Sequence, residues 1–233
     1  MDDDLALLVL LAAAAGCRPA ESKVNILGVT TVAGNALQRH TFADALHISQ
    51  RVNRSLPVLQ GAAWWPPFAT SWRPRGPSAA SRFIVQTVLK EAPNSVTLLA
   101  LGPLTNVAAA LASEPQLAGR LKRIVIMGGD LDPDHLDLNM LSDLEAAYQV
   151  LCANVAKLLV PVQTCTQAVF GSQHLEAAVN ACASAPRERR SHPHVHDTES
   201  PVGCTPALLA KMRRQLWMMP KFINPRLKQV QLS

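Results

Sequence analysis

The sequence of 233 residues has no apolar run long enough to cross a bilayer, no C-x-x-C pair and no internal repeat. Its longest apolar stretch, Leu5 to Ala15, is led by Asp2, Asp3 and Asp4 and stops at Gly16-Cys17-Arg18-Pro19. A spanning helix needs about 20 apolar residues and a secretory signal needs a basic leader, so neither a membrane anchor nor a signal peptide is expected. The five cysteines (Cys17, Cys152, Cys165, Cys182 and Cys204) are odd in number. They do not suit a fully paired disulfide framework, and reduced thiols in a cytoplasmic setting are the expectation. The formal charge of +5 is also unevenly placed: residues 187–233 carry nine Lys/Arg against three Asp/Glu, leaving 13 against 14 in the rest. A near-neutral body argues against a nucleic-acid-binding surface.

What is present is an alternation. Apolar stretches rich in β-branched residues recur at Val24 to Val32, Ser95 to Leu101, Arg123 to Met127 and Leu158 to Val162. Helical patterns fall between them, near residues 3–16, 38–52, 78–91, 104–113, 143–154 and 172–183. This is the βαβ rhythm of an α/β fold: a mainly parallel sheet with helices on both faces. It predicts one α/β domain over residues 1–185 and a divergent basic tail over 186–233. The Pro/Trp-rich segment Ala62 to Pro77 and the acidic segment Gly128 to Asn139 break the rhythm and read as loops at the carboxyl ends of strands, where open α/β sheets bind ligands.

Several polar groups stand where such a site would form. The three leading aspartates sit at the positive end of a helix, where carboxylates either cap the helix or hold a hard cation. Thr30-Thr31-Val32-Ala33-Gly34-Asn35 closes the first strand with a turn and an amide. Leu101-Gly102-Pro103-Leu104-Thr105-Asn106 is a strand-to-helix junction expected to leave the Leu101 carbonyl free at the sheet's edge, a suitable oxygen for Ca²⁺. Asp137 and Asn139 are expected to alternate on an extended segment and so to point the same way. Asp143 fits the N-cap of the helix that follows.

Taken in order, DDDLALLVLLAA, ILGVTTVAGN, LPVLQGA, VTLLALGPLTNVAAAL, RIVIMGG, LDLNMLSDLEAA and LLVPVQTCTQAVF resemble the nucleoside hydrolases, calcium-dependent enzymes that split the N-glycosidic bond of nucleosides. The resemblance covers residues 2 to about 183. The family's N-terminal pattern, D-x-D-x-G-x-D-D after a buried strand, survives here only as its last two carboxylates. By that match Asp2 would bind ribose hydroxyls, and Asp3 and the Leu101 carbonyl would ligate Ca²⁺. Asn35, Met127, Asp137 and Asn139 would line the ribose pocket, with Asp137 one methylene shorter than the family's usual Glu. Trp72, with Trp64 and Trp65 as competitors, would stack on the base. Asp197, in the dipeptide His196-Asp197, is the local candidate for the family's late metal carboxylate.

The resemblance also implies that the general-base carboxylate and the first strand would lie upstream of Met1. The expectation is therefore an incomplete, truncated form of the fold with weak or absent Ca²⁺ binding and impaired hydrolysis of ribonucleosides to base and ribose. The alternative is a catalytically inactive nucleoside- or ribose-binding relative. The implied partner is a small-molecule nucleoside, with no nucleic acid and no membrane, and a homo-oligomer is admitted.

Overall fold

A computed structural model of the chain describes residues 2–14, 24–52, 55–63, 77–132, 134–135 and 137–168. Trp72, Asp197 and the helix expected over 172–183 lie outside these residues. All the described residues except Ala168 belong to one unit, Asp2–Gln167. Among them no helix is long and apolar enough to cross a membrane.

The alternation expected from the sequence is present: α1 (Asp2–Ala14), β1 (Val29–Thr31), α2 (Gln38–Val52), β2 (Val58–Gln60), α3 (Ala79–Lys90), β3 (Thr97–Ala100) and α4 (Thr105–Ser113) come first. The short α5 (Leu117–Arg120), β4 (Arg123–Met127), α6 (Leu138–Ser142), α7 (Leu144–Cys152), β5 (Lys157–Val160) and α8 (Val162–Cys165) follow. Every strand pair is parallel, as crossover helices require. The strands form two sheets, β1-β2 and β3-β4-β5. In the first, Thr31 is opposite Gln60. In the second, Ala100 is opposite Ile126, and Met127 is opposite Val160.

The core explains the order of the second sheet. β4 lies between β3 and β5, so both its edges are hydrogen-bonded, and Ile124 and Ile126 are wholly buried. Around them Leu104, Val107, Ala108 and Ala110 of the α4 region, Ile84 and Val88 of α3, and Ala146, Ala147 and Val150 of α7 form one continuous cluster. The small residues of α4 let its neighbours approach closely, as α3 and α7 both do. A second cluster joins Leu11 of α1 to Ile48 of α2 and to Leu56. Helix α3 starts where the Ser78 hydroxyl accepts from the Ser81 N–H at 3.1 Å. Helix α7 starts at Asp143, whose carboxylate accepts from Ala146 N–H at 3.0 Å, the cap expected from the sequence.

Two expectations are corrected. The acidic segment is not loop to Asn139: α6 begins at Leu138, with Asp137 as its N-cap. Asp137 and Asn139 therefore stand on a cap and a first helical turn, and their common direction does not come from strand alternation. Strand β2 carries no sequence expectation because three residues are too few for a period of two to show.

The two faces of the second sheet make a direct test. Ile126→Ala should cost roughly 2–5 kcal/mol of unfolding free energy because it opens a cavity at a fully buried position. Leu99→Ala, at a side chain 41% exposed, should cost less than about 1.5 kcal/mol. Urea denaturation measures both, and equal losses would show that β4 is not the buried centre of this sheet.

Candidate functional site at the carboxyl ends of the strands

The carboxyl ends of β3 and β4 carry a small polar constellation. Asn139 sends its side-chain Nδ2 to the Leu101 carbonyl at 2.9 Å and to the Met127 carbonyl at 3.2 Å. The Met127 Sδ lies 3.1 Å from the same nitrogen. Three acceptors around one nitrogen fix the sense of the amide, since its oxygen could bond none of them. The Leu101 carbonyl is therefore not free at the sheet's edge, as expected from sequence, but already accepts an N–H. The Asn139 Oδ1 is the atom of that side chain turned to other partners.

Asp137 is 7% exposed and spends one oxygen, Oδ2, on the Met140 N–H at 3.0 Å. Gly128 makes this possible, because a Cβ there would lie 3.0 Å from that same oxygen. The next residue, Gly129, has φ +89°, in the region that favours glycine, and turns the chain out of the sheet. From the sequence, Leu101 is expected at the metal and Met127, Asp137 and Asn139, with Asn35, in the ribose pocket. The structure puts Leu101, Met127 and Asn139 in contact and Asp137 two residues before Asn139 on the same turn.

Of the other residues proposed from the sequence, Asn35, Asp2 and Asp3 stand on other elements. Asn35 is exposed in the bend after β1. Asp2 opens α1, and Asp3 is exposed on its first turn. Two neighbours with no role assigned from the sequence are instead central. Thr105 Oγ1 donates to Asp143 Oδ2 at 2.6 Å. Asn106, 5% exposed, donates from Nδ2 to the Thr31 carbonyl at 2.9 Å and accepts at Oδ1 from Ala62 N–H at 2.9 Å. The signal that could have found them is a Thr-Asn pair at the opening of a helix whose next six residues are all apolar.

Beyond β4 the chain folds on itself. Asp130 accepts from the Asp132 N–H at 2.9 Å and from the Gln163 side-chain amide, while Gln163 Oε1 accepts from Leu131 N–H at 3.1 Å. His135 Nδ1 pairs with Asp132 Oδ2 at 2.8 Å on the surface. The backbone N–H of Asp132, then the Gln163 amide, hold the Asp130 carboxyl below the usual 3.8, with His135 adding a little and burial opposing.

The described residues do not by themselves make a calcium shell. No three His, Cys, Asp or Glu side chains converge among them, and the one expected backbone ligand, Leu101, is engaged by an amide. Hard cations of this kind take six to eight oxygens.

Comparison with known proteins agrees with this layout. The sequence model of the inosine-uridine preferring nucleoside hydrolases matches residues 1–214. The chain is 30% identical over 171 residues to the non-specific ribonucleoside hydrolase RihC of Salmonella paratyphi A, an alignment covering 63% of this chain and 56% of that protein. It is 33% identical over 172 residues to an uncharacterised protein of Schizosaccharomyces pombe, covering 64% and 50%. The chain thus spans about half the length of the curated relatives it matches. Among solved structures, the purine-preferring ribonucleoside hydrolase of Gardnerella vaginalis superposes with a TM-score of 0.63 at 20% identity, covering 77% of this chain and 64% of that one. The inosine-uridine preferring enzyme of Bacillus anthracis gives 0.60 at 23%, covering 77% and 67%. These two likenesses establish a shared fold.

The Asp130 network predicts a pH signature. Because the folded value is depressed, its stabilising contribution is complete above the unfolded value near 3.8 and is lost as pH falls through the lower folded one. Carbon-detected NMR of the side-chain carboxyls should show Asp130 titrating below 3.8, and Gln163→Ala should move it upward by removing one donor. Titration at or above 3.8 in the unmodified chain would show that the network does not form.

Proposed function

The chain belongs to the inosine-uridine preferring nucleoside hydrolase family, and from that membership we propose that it acts on ribonucleosides by hydrolysing the N-glycosidic bond to free base and ribose. The observation that supports this most is the convergence of Asp137 and Asn139 on the carboxyl ends of β3 and β4. Each keeps an oxygen beyond those spent on the backbone, Asp137 Oδ1 and Asn139 Oδ1. Two acceptors fixed by buried caps and carbonyls suit the hydroxyls of a sugar, which donate to both at no cost in reorganisation. Asn35 and Asp2 complete the grip in this reading, and Trp72 stacks on the base.

The chemistry is water attack at the anomeric carbon as the C–N bond breaks and an oxocarbenium-like ribose forms. Hydroxyl grips of this kind stabilise that state by holding the sugar in one orientation. A carboxylate takes the proton of the attacking water, and the departing base nitrogen takes up a proton, so that ribose and neutral base result. By the family resemblance that carboxylate is the aspartate ahead of the glycine in D-x-D-x-G, which is not among these 233 residues. In this reading the same leader also supplies a strand of the sheet. The protein works in the cytoplasm.

Two measurements test these points. Isothermal calorimetry of the 233-residue chain should detect no tight Ca²⁺ binding. Submicromolar affinity abolished by Asp3→Ala would overturn that and require a further carboxylate, Asp197 being the candidate.

The second compares this chain with one carrying an apolar strand that ends in D-x-D-P-G ahead of Asp2. General-base catalysis contributes about 10²–10⁴-fold, so ribose release from inosine and uridine should be faster in the extended chain by at least about 10². Equal rates would remove the leader from the mechanism. Nucleoside binding without release of ribose in either chain would replace hydrolysis by a binding function.

A further inference from the structure

We infer that Asn106 is a positioning residue that sets the loop bearing Asn35 against the Asp137–Asn139 turn, a role that rests on the nucleoside-binding reading of those residues. The two sheets share no strand pairing among the described residues, so the backbone ladders cannot fix the distance between their carboxyl ends. The opening of α4 does it instead. Thr105 reaches toward the second sheet's loops, to Asp143 at 2.6 Å. Its neighbour Asn106 reaches toward the first sheet, to the carbonyl of Thr31 at the end of β1 and the N–H of Ala62 just past β2. The Ser78 hydroxyl, which caps α3, lies 3.4 Å from Asn106 Oδ1 as well.

The fit around this amide is tight. A Cβ on Gly61 would stand 2.1 Å from Asn106 Nδ2 and 2.1 Å from the Thr31 oxygen, so no other residue fits there without displacing backbone. The side chain donates and accepts at once across two strand ends, a pairing that only a carboxamide of this length provides. Its effect passes outward through Ala33, whose N–H donates to the Ala62 carbonyl at 3.2 Å, to Gly34 and Asn35. Its side-chain hydrogen-bond partners among the described residues, Thr31, Ala62 and Ser78, are none of the proposed sugar-binding residues, so Asn106 acts on the pocket through the loop.

The test uses the isotope-labelled 233-residue chain and its Asn106→Asp variant, followed by amide hydrogen exchange and by titration with inosine. In the unmodified chain the Ala62 N–H should be protected although it lies outside any strand; exchange at the rate of a free amide would overturn the clamp with no variant needed. In Asn106→Asp the carboxylate still accepts from Ala62 but faces the Thr31 carbonyl without a donor. The Ala33 N–H should then exchange about tenfold faster, while the Leu141 and Ala147 N–H groups, held by Asp137 and Asp143, stay unchanged.

Inosine should shift the Asn35 amide resonance in the unmodified chain and bind the variant about tenfold more weakly, with the melting transition still cooperative. Unchanged Ala33 exchange or unchanged inosine affinity in the variant would overturn the inference. If inosine leaves the unmodified chain unperturbed, the nucleoside reading fails, and Ala33 exchange alone then decides whether Asn106 positions the loop.

Discussion

The constraint on which this architecture turns is that buried main-chain polar groups must be paired, and at the carboxyl ends of parallel strands the ladder stops supplying partners. A buried N–H or C=O left alone costs on the order of 1–3 kcal/mol, a large share of a domain's stability. Side-chain amides take over where the ladder ends. Asn106 satisfies the ends of β1 and β2, and Asn139 satisfies those of β3 and β4, each with nearly the same carboxamide-to-carbonyl distance of 2.9 Å. A carboxamide is suited to this because it carries donor and acceptor without charge, and so avoids the desolvation penalty of an ion.

The caps follow from the same requirement. Helix α4 has no side-chain cap of its own, and its first residues instead spend their polar groups on neighbours: Thr105 on Asp143, Asn106 on the strand ends. Asp143 in turn caps α7, and Asp137 caps α6. The result is a chain of donors and acceptors running from the first sheet, through the opening of α4, to Asp143, the residue that ends the short helix bearing Asn139. Rigid elements carry it at every step except the Asn35 bend, which is the exposed end of the network.

Much of this was legible in the sequence, and what was not has a physical reason. Helices α2, α3 and α7 stand within a residue or two of their expected bounds because each has a clear apolar face or a cap at its start, and α4 does so because Gly102-Pro103 marks its entry. Strands β3 and β4 were marked by β-branched runs. Strand β2 was not, because Val58-Leu59-Gln60 is too short to show a period. The conformation of Asp137 and Asn139 was misread because D-L-N alternates as a strand does. What decides the matter is Asp137 accepting from Met140 N–H, a bond three residues on that no local pattern of hydrophobicity reports. Thr105 and Asn106 carry no role that the sequence shows, since their partners lie 38 and 75 residues away.

The arrangement around Leu101 bears on the ligand proposed for these residues. Its carbonyl keeps a second lone pair, yet the Asn139 N–H already directed at it would face any cation brought to the same oxygen. Like-signed partial charge at that distance opposes a metal unless several carboxylates outweigh it, and the described residues bring no such group together. A hydroxyl meets no such opposition. Sugar hydroxyls, in the proposed reading, would donate to Asn139 Oδ1 and Asp137 Oδ1 while the amide nitrogen continues to hold the strand ends, so recognition and the integrity of the site would draw on different atoms of the same two side chains.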